Sequence, residues 1–250
     1  MRDSQPAHSG FTLIELTLAL ALTALLVTLG VHIAQATTRA FIMQQAHTHL
    51  LAEGRFATEM IRHRAERAGY HPSPWKLEGP DFAVVDSKSG DHEPYDHLVL
   101  RSWSDRNCHD AANPVQDDAG RPQFFLQVSE FSVDDRQQLR LKCAYGPSKE
   151  ALKVQINQFT LVANTAAFKT LFAEDLDDDK VPDRWVSAGQ WENENAVNGV
   201  RVALLLTARG GGAGRSEAVE LPGSVQVQVP DSHWHGLFDE TFALHSRIRQ

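Results

Sequence analysis

Four aspartates, Asp175, Asp177, Asp179 and Asp183, fall at positions 1, 3, 5 and 9 of one short stretch. Carboxylates packed this densely repel one another unless a hard cation gathers them, and a tight turn with this spacing can aim several oxygens at one centre. Another carboxylate stands in a stranger place. Glu15 lies near the start of an apolar run that reaches about Ala36. An ionisable side chain within a membrane span costs about 2.5 to 3.5 kcal/mol near the bilayer centre, so such residues generally have a partner and a task. If the chain were cut after Gly10, Phe11 would gain a free amine one helical turn from Glu15, where a carboxylate also meets the positive end of the helix dipole. Amine and acid could then neutralise each other, within one chain or between packed neighbours.

Twelve histidines invite a third chemistry. His233 with His235, or the group Asp91, His92, Asp96 and His97, could ligate a metal in a membrane-anchored enzyme. However, no H-E-x-x-H, G-x-S-x-G or paired Cys-x-x-Cys signature is present, and the expectation is a protein that is not an enzyme and carries no organic cofactor.

The elements that must position these groups follow from periodicity. The run 11–36 gives about 26 residues, roughly 39 Å of helix, enough to cross a hydrocarbon core of about 30 Å. Thr12, Thr17, Thr23 and Thr28 interrupt its apolarity, and their hydroxyls can bond back to helix carbonyls. Small residues such as Ala19 and Ala21 permit close helix packing. Beyond Arg39 the pattern turns amphipathic, with Ile42, Ala46, Leu50, Phe56, Met60, Ala65 and Ala68 near helical spacing. Gly54 weakens this helix by about 1 kcal/mol relative to alanine, and Gly69, Pro72 and Pro74 stop it. After Pro74 the period becomes two, predicting strands near 82–85, 98–103, 124–133, 139–144, 154–163, 200–206 and 225–229. Val154, Ile156, Phe159 and Leu161 alternate with one slip. These strands predict an antiparallel sheet laid against the outer half of the helix. Gly210, Gly211, Gly212 and Gly214 make a flexible loop, with no strand-to-helix context for a phosphate cradle.

The signal Gly10-Phe11-Thr12-Leu13-Ile14-Glu15 before a long apolar helix resembles the class III leader of type IV prepilins and pseudopilins. The resemblance implies cleavage after Gly10 by a prepilin peptidase, methylation of Phe11, and Glu15 guiding the subunit into a filament. A plain secretory signal would want a basic n-region, whereas Arg2 is opposed by Asp3. Further motifs narrow the family. Gly54-Arg55-Phe56-Ala57 through Arg67-Ala68-Gly69-Tyr70, Cys143 on a strand, Asp183-Arg184-Trp185-Val186 after the acidic turn, and Val200 to Leu206 together resemble PilW-type minor pilins. The end, Thr241-Phe242-Ala243-Leu244-His245-Ser246-Arg247, departs from the threonine-rich strand such proteins tend to carry.

This resemblance implies an α+β, type IV pilin-like fold, with a long N-terminal helix packed on an antiparallel β-sheet body. Its parts would be a leader over 1–10, a transmembrane assembly helix over 11–36, its outer amphipathic half over 37–70, and a β-rich periplasmic or extracellular domain over 71–250. The implied role is a minor pilin in a tip complex that initiates pilus assembly, located in the bacterial inner membrane and then in the cell-surface pilus. Implied partners are other minor pilins, the major pilin and the prepilin peptidase. A GspJ-like minor pseudopilin of a type II secretion system shares the leader and a β-rich body, and a calcium-dependent tip adhesin is a third reading.

The acidic run Asp-Leu-Asp-Asp-Asp-Lys-Val-Pro-Asp resembles the calcium repeats of thrombospondin type 3, with Lys180 at the glycine position and Val186 where the last acid should be. Glu174, Asp178 or Glu192 could compensate. The competing reading is a solvated acidic loop held by Arg184 or Lys180. Net charge is −8, which disfavours nucleic acid as the main ligand, since phosphate binding wants a basic patch. Cys108 and Cys143 are the two cysteines. With the anchor placing the body outside the cytoplasm, they are expected to pair, the alternative being two separate buried thiols.

Overall fold

The computed structural model describes residues 12–73, 83–84, 86–90, 94–209, 216–230 and 233–244. The chain divides into two units, residues 1–45 and 46–250. One helix, α1 (Leu13–Ala65), belongs to both. In the first unit its described side chains are all exposed, although mean hydropathy reaches 2.2 over a span-length window. Thr17, Thr23 and Thr28 donate their hydroxyls to the carbonyls of Ile14, Ala19 and Ala24 at 3.0, 2.7 and 2.7 Å. Each hydroxyl is thereby satisfied without water, as an apolar surrounding demands.

In the second unit α1 presents Leu50, Gly54, Ala57, Thr58, Ile61, Arg64 and Ala65 as its buried face, the three-and-four spacing of one helical stripe. Gly54 has a use that its poor helix propensity conceals: a Cβ there would overlap the tip of the Phe238 ring, at Cζ. Arg64, in the last turn, is buried; it donates to Gln127 Oε1 at 2.6 Å and to the Cys108 carbonyl at 3.1 Å. Its charge also suits the negative end of the helix dipole. The chain then leaves the helix through Gly69 at φ 83°, whose N–H donates to the Arg101 carbonyl at 2.8 Å.

The strands are β1 (Leu98–Ser104), β2 (Phe125–Val133), β3 (Leu139–Gly146), β4 (Lys153–Val162), β5 (Thr165–Glu174), β6 (Arg184–Val186), β7 (Val197–Arg209), β8 (Glu217–Leu221), β9 (Val225–Val229) and β10 (His233–Ala243). They form not one sheet but two of four strands, β1-β2-β3-β4 and β10-β7-β5-β6, with β8 and β9 as a separate hairpin. All these strand pairs are antiparallel. The reason lies in β7. Val200, Val202, Leu204 and Leu206 face the main core shared with α1 and the first sheet. Ala203 and Leu205 face the other way, under Leu221 and Val229 of the hairpin. A strand covered on both faces reads as a continuous apolar run.

The slip in the β4 alternation is a bulge. Cys143 pairs with Ile156 and Leu141 with Phe159, so two residues on β3 oppose three on β4, and Gln158 takes φ 53°. The strand expected over 82–85 falls partly outside the described residues, and Ala83 and Val84 occupy a turn, both buried in the core. Strands β5, β6, β8 and β10 lie outside the segments whose period of two marks them as strands. The glycine-rich stretch 210–214 lies outside the described residues.

Candidate functional site

The helix start is built from two side chains. Thr12 precedes the first helical residue, and its Oγ1 accepts the Glu15 N–H at 3.3 Å. Glu15 Oε2 in return accepts the Thr12 N–H and the Thr12 hydroxyl, each at 2.9 Å. This reciprocal pair is a capping box, Thr-x-x-Glu, which satisfies amides that have no partner in the first turn. Glu15 is therefore bonded within its own chain. Gly10 and Phe11, the expected cleavage and methylation residues, lie outside the described residues.

The acidic turn connects β5 to β6. Glu174 ends β5 fully buried, and its Oε2 accepts from Arg184 Nε at 2.9 Å, while Oε1 accepts the Asn193 N–H at 2.6 Å. Arg184 also pairs with Glu192 at 3.0 Å. Glu174 and Arg184 are register partners, so the two ends of the turn are fixed. Asp175 follows, only 7% exposed. Its N–H donates to the Ala196 carbonyl at 2.9 Å, and its Oδ2 accepts from the Lys180 N–H at 3.0 Å and Asn198 Nδ2 at 3.2 Å. Asp183 closes the turn, its N–H on the Glu174 carbonyl at 2.8 Å and its Oδ2 on the Leu176 N–H at 2.6 Å.

One carboxylate oxygen from each of Asp175, Asp177 and Asp183 lies within 4.8 Å of the other two. Asp179 is not one of these three; its Oδ1 accepts the Val181 N–H at 2.7 Å. For Asp177, the hydrogen bond from the Asp179 N–H pulls the pKa down. Desolvation and repulsion from Asp179, Asp183 and Asp175 outweigh it, and the pKa ends above the ordinary carboxylate value. Lys180, at the expected glycine position, takes φ 76°, the left-handed conformation that glycine adopts most easily. The three side chains offered as compensating acids are engaged elsewhere, Glu174 and Glu192 with Arg184 and Asp178 with Lys180. Val186 cannot be an acid here without loss, because it packs against the main core. Asn198, on β7, is part of the site, yet no local sequence signal ties it to a turn more than fourteen residues earlier.

Among the described residues, the histidines do not gather into a metal-ligating cluster. Asp96 is buried against Lys169, Oδ1 to Nζ at 2.5 Å, with Thr170 donating to Oδ2. His97 Nε2 lies 3.8 Å from Glu130, and His235 Nε2 lies 3.9 Å from Glu217. Asp91 and His92 lie outside the described residues. Cys108 and Cys143 form a disulfide with Cα atoms 5.9 Å apart, packed with Tyr145, Phe125 and Ile156. It ties the segment after β1 to the middle of β3.

No protein-family model and no curated protein sequence matches the chain. Among solved structures, a type IV-like pilin from Thermus thermophilus is similar, with a TM-score of 0.51 and 14% sequence identity, over 78% of this chain and 96% of that one. At that identity the likeness concerns the fold: a long apolar N-terminal helix and antiparallel sheets in the type IV pilin-like arrangement.

Proposed function

We propose that this chain is a PilW-type minor pilin, which joins other minor pilins in a complex that primes assembly of a type IV pilus near its tip. The observation that supports this most is Glu15 at the third position of an apolar helix whose side chains over 13–45 are exposed, on a chain with a type IV pilin-like fold. Such a surface is solvated by lipid before assembly and by neighbouring helices afterwards. The capping box gives Glu15 a resting state: Thr12 satisfies the carboxylate while the subunit waits in the inner membrane.

Hydrolysis of the Gly10–Phe11 bond by a prepilin peptidase frees the Phe11 amine, which then takes a methyl group from a sulfonium methyl donor and releases the thioether. The carboxylate then exchanges its Thr12 bonds for the amine of an adjacent subunit, the stronger, charge-assisted partner. Burial of the apolar helices drives association, and the charge pair sets register, because a misaligned neighbour leaves a charge unpaired in lipid. The role is assembly, with major and minor pilins as partners, and not catalysis.

The test is the N-terminal mass of the chain recovered from membranes of cells with and without prepilin peptidase, joined to a pilus count for Glu15→Ala. A chain beginning at methylated Phe11 only when the peptidase is present, and fewer or shorter pili in the variant, are expected. An intact Met1 chain or normal piliation refutes the reading. Lost protein secretion with pili intact would move the chain to the GspJ-like pseudopilins.

A further inference from the structure

We infer that Asp175, Asp177 and Asp183 bind a single calcium ion in the turn between β5 and β6. The first support is geometric. Calcium takes oxygens at about 2.3 to 2.6 Å, so two oxygens on the same ion lie no more than about 5 Å apart. One oxygen from each of the three carboxylates meets that condition, all lying within 4.8 Å of one another.

The second support is independent of the clustering. Asp175 is more than nine-tenths buried, and its Oδ1 is a buried oxygen with no hydrogen-bond partner. Its other oxygen takes both available donors, the Lys180 N–H and Asn198 Nδ2. A buried carboxylate oxygen without a donor is costly, and a cation satisfies it where no N–H reaches. This oxygen belongs to a residue whose carboxylate already faces Asp177 and Asp183.

The third support concerns charge. Among the described residues, no lysine or arginine pairs with Asp175, Asp177 or Asp183. Lys180 Nζ is held by Asp178 at 2.7 Å, and Arg184 by Glu174 at 2.8 Å and Glu192 at 3.0 Å. Both cations thus neutralise neighbouring acids, Asp178 within the run and Glu174 and Glu192 beside it, and leave the charge of Asp175, Asp177 and Asp183 uncompensated. An oxygen-only donor set on an irregular turn suits calcium, which tolerates varied geometry, better than magnesium, which demands a near-ideal octahedron. Bound calcium would reinforce the hold of the β5–β6 turn on Ala196, just before β7, and on Asn198 within it.

The experiment is calorimetric titration of the chelator-stripped, detergent-solubilised full chain with calcium chloride, repeated with magnesium chloride and on three variants. A dissociation constant on the order of 10⁻⁴ to 10⁻³ M is expected, the range of extracellular modules. Asp175→Asn and Asp177→Asn should each weaken binding by at least about tenfold, and Asp179→Asn by less than about threefold. Asp177 is exposed, so its variant remains informative if Asp175→Asn fails to fold. Absence of saturable heat up to about 10 mM calcium overturns the site. Equal weakening by Asp179→Asn also overturns it, since diffuse attraction to an acidic loop would do that. Equal affinity for magnesium overturns the choice of ion.

Discussion

Gly54→Ala should destabilise the protein, against the ordinary expectation for a glycine inside a helix. Alanine gains about 1 kcal/mol over glycine from helix propensity alone. At Gly54, however, the new methyl would overlap the tip of the Phe238 ring, which packs from β10 onto this turn of α1. The half-buried ring must shift as a rigid plate, because Cζ, Cε2 and Cε1 all lie within 2.5 Å of the added methyl. Overpacking of this kind costs about 1 to 3 kcal/mol. The net effect should thus be a loss of about 0 to 2 kcal/mol, the difference of those two ranges. The sharper measurement is a double-mutant cycle. In a Phe238→Ala background the clash is gone and only propensity remains, so Gly54→Ala should stabilise by about 1 kcal/mol. Urea unfolding of the four detergent-solubilised proteins, followed by far-ultraviolet circular dichroism, reads both values. If Gly54→Ala stabilises the parent, or has the same effect in both backgrounds, the packing account of this glycine is wrong.

Two other perturbations test how the body is held. Replacing both Cys108 and Cys143 with serine should cost about 4 kcal/mol, because the disulfide closes a separation of 35 residues and the chain-entropy model scales with loop length; a urea midpoint unchanged by the double substitution would contradict that. Lys169→Met should cost about 3 to 5 kcal/mol, since it leaves the Asp96 carboxylate buried without its cation. Adding Asp96→Asn should recover much of that loss in the same unfolding assay, and failure to recover would mean that packing, not charge, holds the strand.

Particular residues explain which parts of the fold were legible in the chain. The acidic residue in the apolar run was visible from composition, but its hydrogen-bond partner was already written in the four-residue spacing Thr12-x-x-Glu15. The irregular β4 alternation was also visible, and its cause is one residue, Gln158, inserted as a bulge. Strand β5 escaped because Lys169 interrupts its pattern, and only the contact with Asp96, far away in sequence, makes that lysine compatible with burial. Strand β10 escaped because Gly236, Asp239 and Glu240 are poor strand formers. It is an edge strand whose two acids point to opposite faces: Asp239 pairs with Arg201 at 2.6 Å, and Glu240 with Arg62 of α1 at 2.8 Å.

By itself the sequence determined the local features: the apolar helix and its first carboxylate, the amphipathic stripe that follows, the acidic turn, and most strands with a period of two. Each depends on residues a few positions apart, whose geometry the backbone repeat dictates. Tertiary structure alone decided the division into two four-stranded sheets, the use of Gly54 as a seat for Phe238, and the choice of three aspartates from four. Those outcomes depend on residues distant in sequence, such as Asn198, which joins the neighbouring Lys180 N–H on one oxygen of Asp175 while the other oxygen stays without a donor. Spacing along a chain can gather acids into a turn, but only packing determines which oxygens are left for a cation.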